Sequence, residues 1–155
     1  MTLTRVPPAE AERLMRERGY VYLDVRTPEE FELGHPEHAL NVPWQLTDAT
    51  GQRTPNRRFL EVATRALREQ KGVVIGCQSG KRSLAAAEAL IKAGVVRMDA
   101  DGSGAPHLVD QRAGFGGIRD GFGKLTEPGW QGAGLPVAYD AEPGKSYHDL
   151  SGVDE

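Results

Sequence analysis

Apolar β-forming runs alternate with helical segments along the first two thirds of this chain, and that order calls for a parallel sheet covered by helices on both faces. Pro7 and Pro8 open a helical segment, Ala9 to Arg18, with Ala11, Leu14 and Met15 on one face and Gly19 closing it. Tyr20 to Val25 is rich in β-formers and is stopped by Arg26-Thr27-Pro28. Thr27 reads as an N-cap, with Pro28 at the first helical position and Glu29 and Glu30 in the first turn, all of which favour a short helix. Ala39 to Val42 is a short strand stopped by Pro43, and residues 47–56 read as a polar loop. Arg57 to Gln70 carries Phe59, Leu60, Ala63 and Leu67 at helical spacing. Val73 to Cys77 is a short apolar strand, and Ser83 to Ala93 is a helix ended by Gly94.

The remainder is less regular. Residues 99–107 read as an inserted loop, and Val95 to Met98 competes with Leu108 to Gln111 for the next strand. Residues 113–134 hold eight glycines, too many for a regular element, and residues 138–155 form a polar tail placed on the surface.

Composition narrows the function classes. A chain of 155 residues with 39% hydrophobic and 26% charged residues fits one soluble α/β domain with a sizeable core. A net charge of -3 gives no global field for nucleic acid. No stretch approaches the roughly 18 apolar residues of a membrane helix, and residues 1–11 lack an apolar run of signal-peptide type. The single cysteine excludes an intrachain disulfide, no Cys/His metal cluster is legible, and no cofactor is implied. A reducing cytoplasm is the default compartment for such a chain.

The chemistry concentrates in Gly76-Cys77-Gln78-Ser79-Gly80-Lys81-Arg82-Ser83, which joins the end of an apolar strand to the start of a helix. Ligands in open α/β sheets bind at the carboxyl ends of strands. A loop entering a helix N-terminus turns unpaired N–H groups into its own concavity and favours an anion there. Cys77 at the start of such a loop, near Lys81 and Arg82, is expected to be drawn toward the thiolate. Gly80 permits the positive φ of a tight cradle, and Ser83 is the expected N-cap of the helix. The alternative is that Cys77 is a buried small hydrophobe, but a structural cysteine needs neither the cations nor the helix start.

Three segments resemble the rhodanese family, in the family's order. The first is Leu23-Asp24-Val25-Arg26-Thr27-Pro28-Glu29-Glu30-Phe31, followed by Gly34-His35 and Ala39-Leu40-Asn41-Val42-Pro43. The second is the Cys77 loop, whose CQSGKRS is similar to single-domain rhodaneses of the plant senescence-associated and bacterial type. The third is Gly116-Gly117 with Trp130 and Gly134-Leu135-Pro136-Val137. The resemblance implies a rhodanese-like α/β fold, a five-stranded parallel sheet flanked by helices on both faces, over residues 1–137 with inserted loops at about 99–107 and 118–129. It also implies sulfur transfer in two steps. Cys77 takes the outer sulfur of a small anionic donor such as thiosulfate, and the persulfide passes it to a thiol or to cyanide. Backbone N–H groups of Gln78, Ser79, Gly80, Lys81 and Arg82 would hold the outer sulfur, and Lys81 and Arg82 would attract the donor.

Several residues carry two readings. Arg82 contributes donor-binding charge or serves as a structural fork, and Ser79 bonds the sulfur or satisfies the turn. Arg26 adds positive potential at the pocket, or else pairs with Glu30 while Asp24 ties down backbone. His35 reads as a hydrogen-bonded structural residue, and Trp44 and Trp130 as packing. Two departures from the family pattern stand out. Pro36-Glu37-His38 replaces an Ile-Pro-Gly type turn, and the stretches from Gly94 to Gly116 and from Gly117 to Trp130 are long. Two other functions compete on the same fold. One is a cysteine-dependent phosphatase or arsenate reductase, which has five residues between Cys and Arg where this chain has four, Gln78 to Lys81. The other is a non-catalytic rhodanese-like binding module, which often lacks the cysteine.

Overall fold

A computed structural model describes residues 2–152; residue 1 and residues 153–155, the outer ends of the expected domain and tail, lie outside the described residues. The chain runs through β1 (Thr4–Val6), α1 (Pro8–Arg18), β2 (Val21–Asp24), α2 (Pro28–Glu32), β3 (His35–Pro36), β4 (Leu40–Asn41), β5 (Gln45–Thr47) and β6 (Arg53–Pro55). It continues through α3 (Phe59–Leu67), β7 (Gly72–Gly76), α4 (Lys81–Lys92), β8 (His107–Gln111), β9 (Ile118–Arg119), β10 (Leu125–Glu127), β11 (Val137–Ala138) and α5 (Tyr147–Ser151). Strands β1-β8-β7-β2-β4 form a five-stranded, all-parallel sheet in that order.

The sheet is apolar on both faces because neighbouring residues of its central strands bury in opposite directions. Leu23, Val73, Ile75 and Leu108 join Phe59, Val62, Leu67, Ala86 and Leu90 under α3 and α4. Tyr22, Val74 and Val109 join Val6, Ala11, Phe31, Phe115 and Trp130 on the other face, beneath α1 and α2. Helices thus cover both faces, as the alternation of elements requires. Among the described residues, no helix is long and apolar enough to cross a membrane.

Local chemistry sets the boundaries. Gly19 closes α1 at φ 70°, with its N–H on the Leu14 carbonyl. Thr27 and Glu30 form a reciprocal capping box around Pro28, which fixes α2 at the end of β2. The helix expected over 57–70 is shorter, Phe59–Leu67, because Asn56 turns the chain first, its Oδ1 accepting the Arg58 N–H at 3.0 Å.

Three readings change on the structure, and one left open is decided. Residues 45–55, expected in part as loop, fold into the β5–β6 hairpin. Leu108 to Gln111 wins the contested strand, because Val95 closes the end of α4 on the Leu90 carbonyl and only Arg97 makes a bridge to His107. Within the glycine-rich segment, β9 and β10 form a second hairpin. Residues 138–152, read as polar tail, carry the second residue of β11, which pairs with β3, and the whole of α5, where the Tyr147 hydroxyl lies 3.2 Å from Asn56 Nδ2.

Candidate active site

Register brings the carboxyl ends of three strands together: Asp24 faces Gly76 on one side and Asn41 on the other. Cys77 follows Gly76 directly, is 2% exposed, and leads through Gln78, Ser79 and Gly80 into α4. Gly80, not Ser83, is the N-cap, at φ 95°. The helix begins two residues earlier than expected, which places Ser83 buried within its first turn with its Oγ 3.5 Å from the Gly80 carbonyl. No other residue fits at Gly80, since a Cβ there would run into the Arg112 carbonyl oxygen at a φ that L side chains rarely adopt. The consequence is chemical: the Gly80 N–H points back at Cys77 Sγ, 3.1 Å away. The next N–H groups, at the start of α4, have no acceptor within the helix and leave positive potential at the loop.

The glycine-rich segment holds this loop from behind. Phe115 N–H donates to the Cys77 carbonyl at 2.7 Å and Gly116 N–H to the Gln78 carbonyl at 2.9 Å. A Cβ at Gly114, which sits at φ 69°, would lie 2.5–2.6 Å from the Gln78 and Cys77 carbonyl oxygens. The Gln111 side chain fixes this strap, its Oε1 accepting from Ala113 and Gly114 N–H and its Nε2 donating to the Gly114 carbonyl. From the far edge of the sheet, Arg5 pairs with buried Asp110 at 2.7 Å and reaches the Gly80 carbonyl at 3.3 Å. Burial pushes the Asp110 carboxyl up, against the pull of Arg5 and of Ser83 beside it.

Two ion pairs frame the front. Asp24 and Arg26, 1% and 2% exposed, form a bidentate pair with a shortest distance of 2.7 Å. Arg26 spends its other donors on the Gly34 carbonyl at 2.7 Å and on Gln78 Oε1 at 3.1 Å, and its guanidinium lies 4.4 Å from the centre of the Phe115 ring. The expected pairing of Arg26 with Glu30 is absent, because Glu30 is engaged elsewhere. It accepts from Thr27 N–H and takes both terminal nitrogens of Arg82, at 2.7 and 2.9 Å. Burial raises the Glu30 carboxyl, but hydrogen bonds from Arg82 and Thr27 outweigh it and bring its pKa down to about 2.

Two cavities flank the loop, with Gln78 in the wall of both. One, about 440 Å³, is lined by Arg26, Glu30, Leu33, Gly34, Phe115 and Gln131. The other, about 380 Å³, is lined by Ser79, Lys81, Gly116, Gly117, Ile118 and Arg119. Cys77 lines neither, and Gln78, its neighbour in the chain, lines both. Two larger cavities lie away from the loop, and neither includes any residue of it. Asp24, Arg26 and Gln78 therefore form one connected group, Glu30 and Arg82 a second, and Cys77 and Gly80 a third, while Ser79 and Lys81 face the smaller cavity. His35 is a packing residue stacked on Phe31, with Nδ1 2.8 Å from the Phe31 carbonyl. Trp130 is buried against Tyr22, with Nε1 donating to the Pro136 carbonyl.

Gly114, Arg5, Asp110 and Arg119 bear on this site and do not emerge from the sequence reading. The glycine run hinted at the first; a partnership across 105 positions, such as Arg5–Asp110, leaves no local signal.

The family model for the rhodanese-like domain matches residues 7–102. This chain belongs to the rhodanese family. Senescence-associated protein DIN1 of Raphanus sativus is 42% identical over 93 residues, 58% of this chain and 50% of that protein, so the rhodanese chain described here spans about half of that relative. Thiosulfate sulfurtransferase 18 of Arabidopsis thaliana is 39% identical over 107 residues, 68% of this chain and 77% of that one. The crystal structure of Rv0390 from M. tuberculosis superposes with a TM-score of 0.62 at 29% identity, over 90% of this chain and all of that one.

Proposed function

We propose that this rhodanese domain is a sulfurtransferase that moves sulfane sulfur from a donor such as thiosulfate to a thiophilic acceptor through a persulfide on Cys77. The observation that carries this reading is the Gly80 N–H directed at Cys77 Sγ from a tight loop at a helix N-terminus. That N–H is a hydrogen-bond donor to the sulfur that attacks, and the same concavity suits the negative outer sulfur of a persulfide. The thiolate attacks the outer sulfur of thiosulfate; the S–S bonding pair leaves with sulfite, and Cys77 carries the transferred sulfur as a persulfide anion. Attack by a thiolate or cyanide on that outer sulfur returns the Cys77 thiolate. With one cysteine in the chain, resolution by an internal disulfide is impossible and the acceptor comes from outside. The relative named as a thiosulfate sulfurtransferase lends support.

The phosphatase reading is weaker on this geometry. Only four residues separate Cys77 from Arg82, and both terminal nitrogens of Arg82 are engaged by Glu30 rather than available to a phosphate. The test sets thiosulfate:cyanide transfer beside hydrolysis of a small aryl phosphate, for the wild type and for Cys77→Ser. Sulfur transfer that vanishes in the variant, without phosphate release in either protein, is the expected result. Phosphate release that depends on Cys77 would overturn the proposal.

A further inference from the structure

The cavity beside Ser79 and Lys81 has a wall that the Cys77 loop does not supply. Ile118 and Arg119 belong to the β9–β10 hairpin, within the long stretch between Gly117 and Trp130. Residue 79 comes from the loop and 81 from the start of α4, 116 and 117 from the strap and 118 and 119 from the hairpin, so three separate stretches of chain line one half-open volume of about 380 Å³. That is within the size range of sites for small organic ligands, and roomier than a five-atom anion requires.

Among the described residues, neither Lys81 nor Arg119 forms an ion pair, whereas Arg26, Arg82 and Arg112 each hold a carboxylate. One terminal nitrogen of Arg119 donates to the Gly123 carbonyl at 2.9 Å, which anchors the guanidinium to its own hairpin and leaves its remaining donors free. Two unpaired cations, one on the loop that carries the nucleophile and one on an insert, fit an anion with charge at two places.

We infer that Arg119 is a donor-specificity residue, and that the Lys81–Arg119 cavity takes the carboxylate of an organic persulfide whose terminal sulfur is offered to Cys77. The inference rests on the sulfurtransferase reading. In the step it describes, the Cys77 thiolate bonds to the outer sulfur of the donor, the donor's S–S bond breaks, and the bonding pair leaves with the inner sulfur as an organic thiolate. Charge and atoms balance without an oxidant or reductant.

A matched pair of donors tests it: the persulfides of 3-mercaptopropionate and of its amide, which differ only in the carboxylate. The readout is the ratio of kcat/KM for the two, followed by the appearance of the Cys77 persulfide. The wild type should prefer the carboxylate donor by about tenfold, the worth of one charge-assisted hydrogen bond. Arg119→Ala should bring the ratio to near one and Arg119→Lys should restore part of it, while Lys124→Ala, on the same hairpin but outside the cavity, should leave it unchanged. A ratio that survives Arg119→Ala, or that falls as far in Lys124→Ala, overturns the assignment. A second arm separates this from failure of the underlying reading. Calorimetry on Cys77→Ser with the unreactive thioether 3-(methylthio)propionate and its amide should show the same preference, lost when Arg119→Ala is added. Absence of a persulfide from every donor would sink the sulfurtransferase reading, whereas equal binding of the two thioethers would sink the cavity assignment alone.

Discussion

Replacing Glu30 by Gln should cost this protein up to about 3 kcal/mol, and the cost should fade in acid. In the wild type, Glu30 accepts from Thr27 N–H and Oγ1, takes Arg82 at 2.7 and 2.9 Å, and lies 3.4 Å from Arg53 Nη2. In Glu30→Gln the side-chain oxygen could still accept from Thr27, but the amide nitrogen would oppose an arginine donor and leave Arg82 without its counter-charge. The carboxyl is held at about 2 against an ordinary 4.5, which corresponds to about 3 kcal/mol of stabilisation at neutral pH. This is an upper bound, because about a fifth of the Glu30 side chain remains in water. The folded-state value is depressed, so the contribution is complete above about pH 5 and is lost as the pH falls toward 2. At pH 3 no more than about 1.5 kcal/mol should remain. Urea denaturation of both proteins at pH 7, 4 and 3 measures this difference directly, since acid effects at other carboxylates are shared and cancel. A gap below 1 kcal/mol at pH 7, or one that does not narrow by pH 3, would refute the argument. The same variant should slow sulfur transfer, because the Glu30–Arg82 pair ties α2 to the first turn of α4, where the loop ends.

Asp24→Asn should destabilise by about 3 kcal/mol or more in urea melts, because it leaves Arg26 buried without its counter-charge; a loss within 1 kcal/mol would contradict this. Gly51→Ala should cost only the roughly 1–2 kcal/mol of its φ of 87°, since nothing lies within 4 Å of the added methyl. Gly114→Ala should cost clearly more in the same thermal melts, because its Cβ also meets the two carbonyl oxygens of the Cys77 loop; the reverse order would show that the strap does not press on the loop. Lys81→Ala should lower kcat/KM for thiosulfate several-fold more than for an uncharged sulfur donor, whereas an equal loss on both would mean that Lys81 does not read donor charge.

The parallel sheet was legible because its central strands are short apolar runs between helices with ordinary start and stop signals. Thr27, Pro28 and Glu30 announce α2 as they stand, and Gly19 marks the end of α1. The β5–β6 and β9–β10 hairpins were hidden because their stems are largely polar and exposed, so no alternating burial pattern marks them. Strands β3 and β11 are two residues each and exist through one another, which no local window can register. At the site, the Cys77 loop was legible as chemistry, but its pairing was not. Arg26 lies before the N-cap of α2, so the helical spacing that would bring it onto Glu30 does not apply, and Asp24 lies within reach on the preceding strand. Ser83 looked like a cap by residue type, yet only Gly80 can hold the positive φ that turns its N–H toward Cys77.

The central claim, that Cys77 carries the transferred sulfur, is tested most directly by intact mass spectrometry after incubation with thiosulfate and removal of excess donor. The protein should gain the mass of a single sulfur atom, map that gain to the peptide containing Cys77, and lose it on addition of cyanide, while Cys77→Ser should gain nothing. An unchanged wild-type mass, or the same gain in Cys77→Ser, would contradict it.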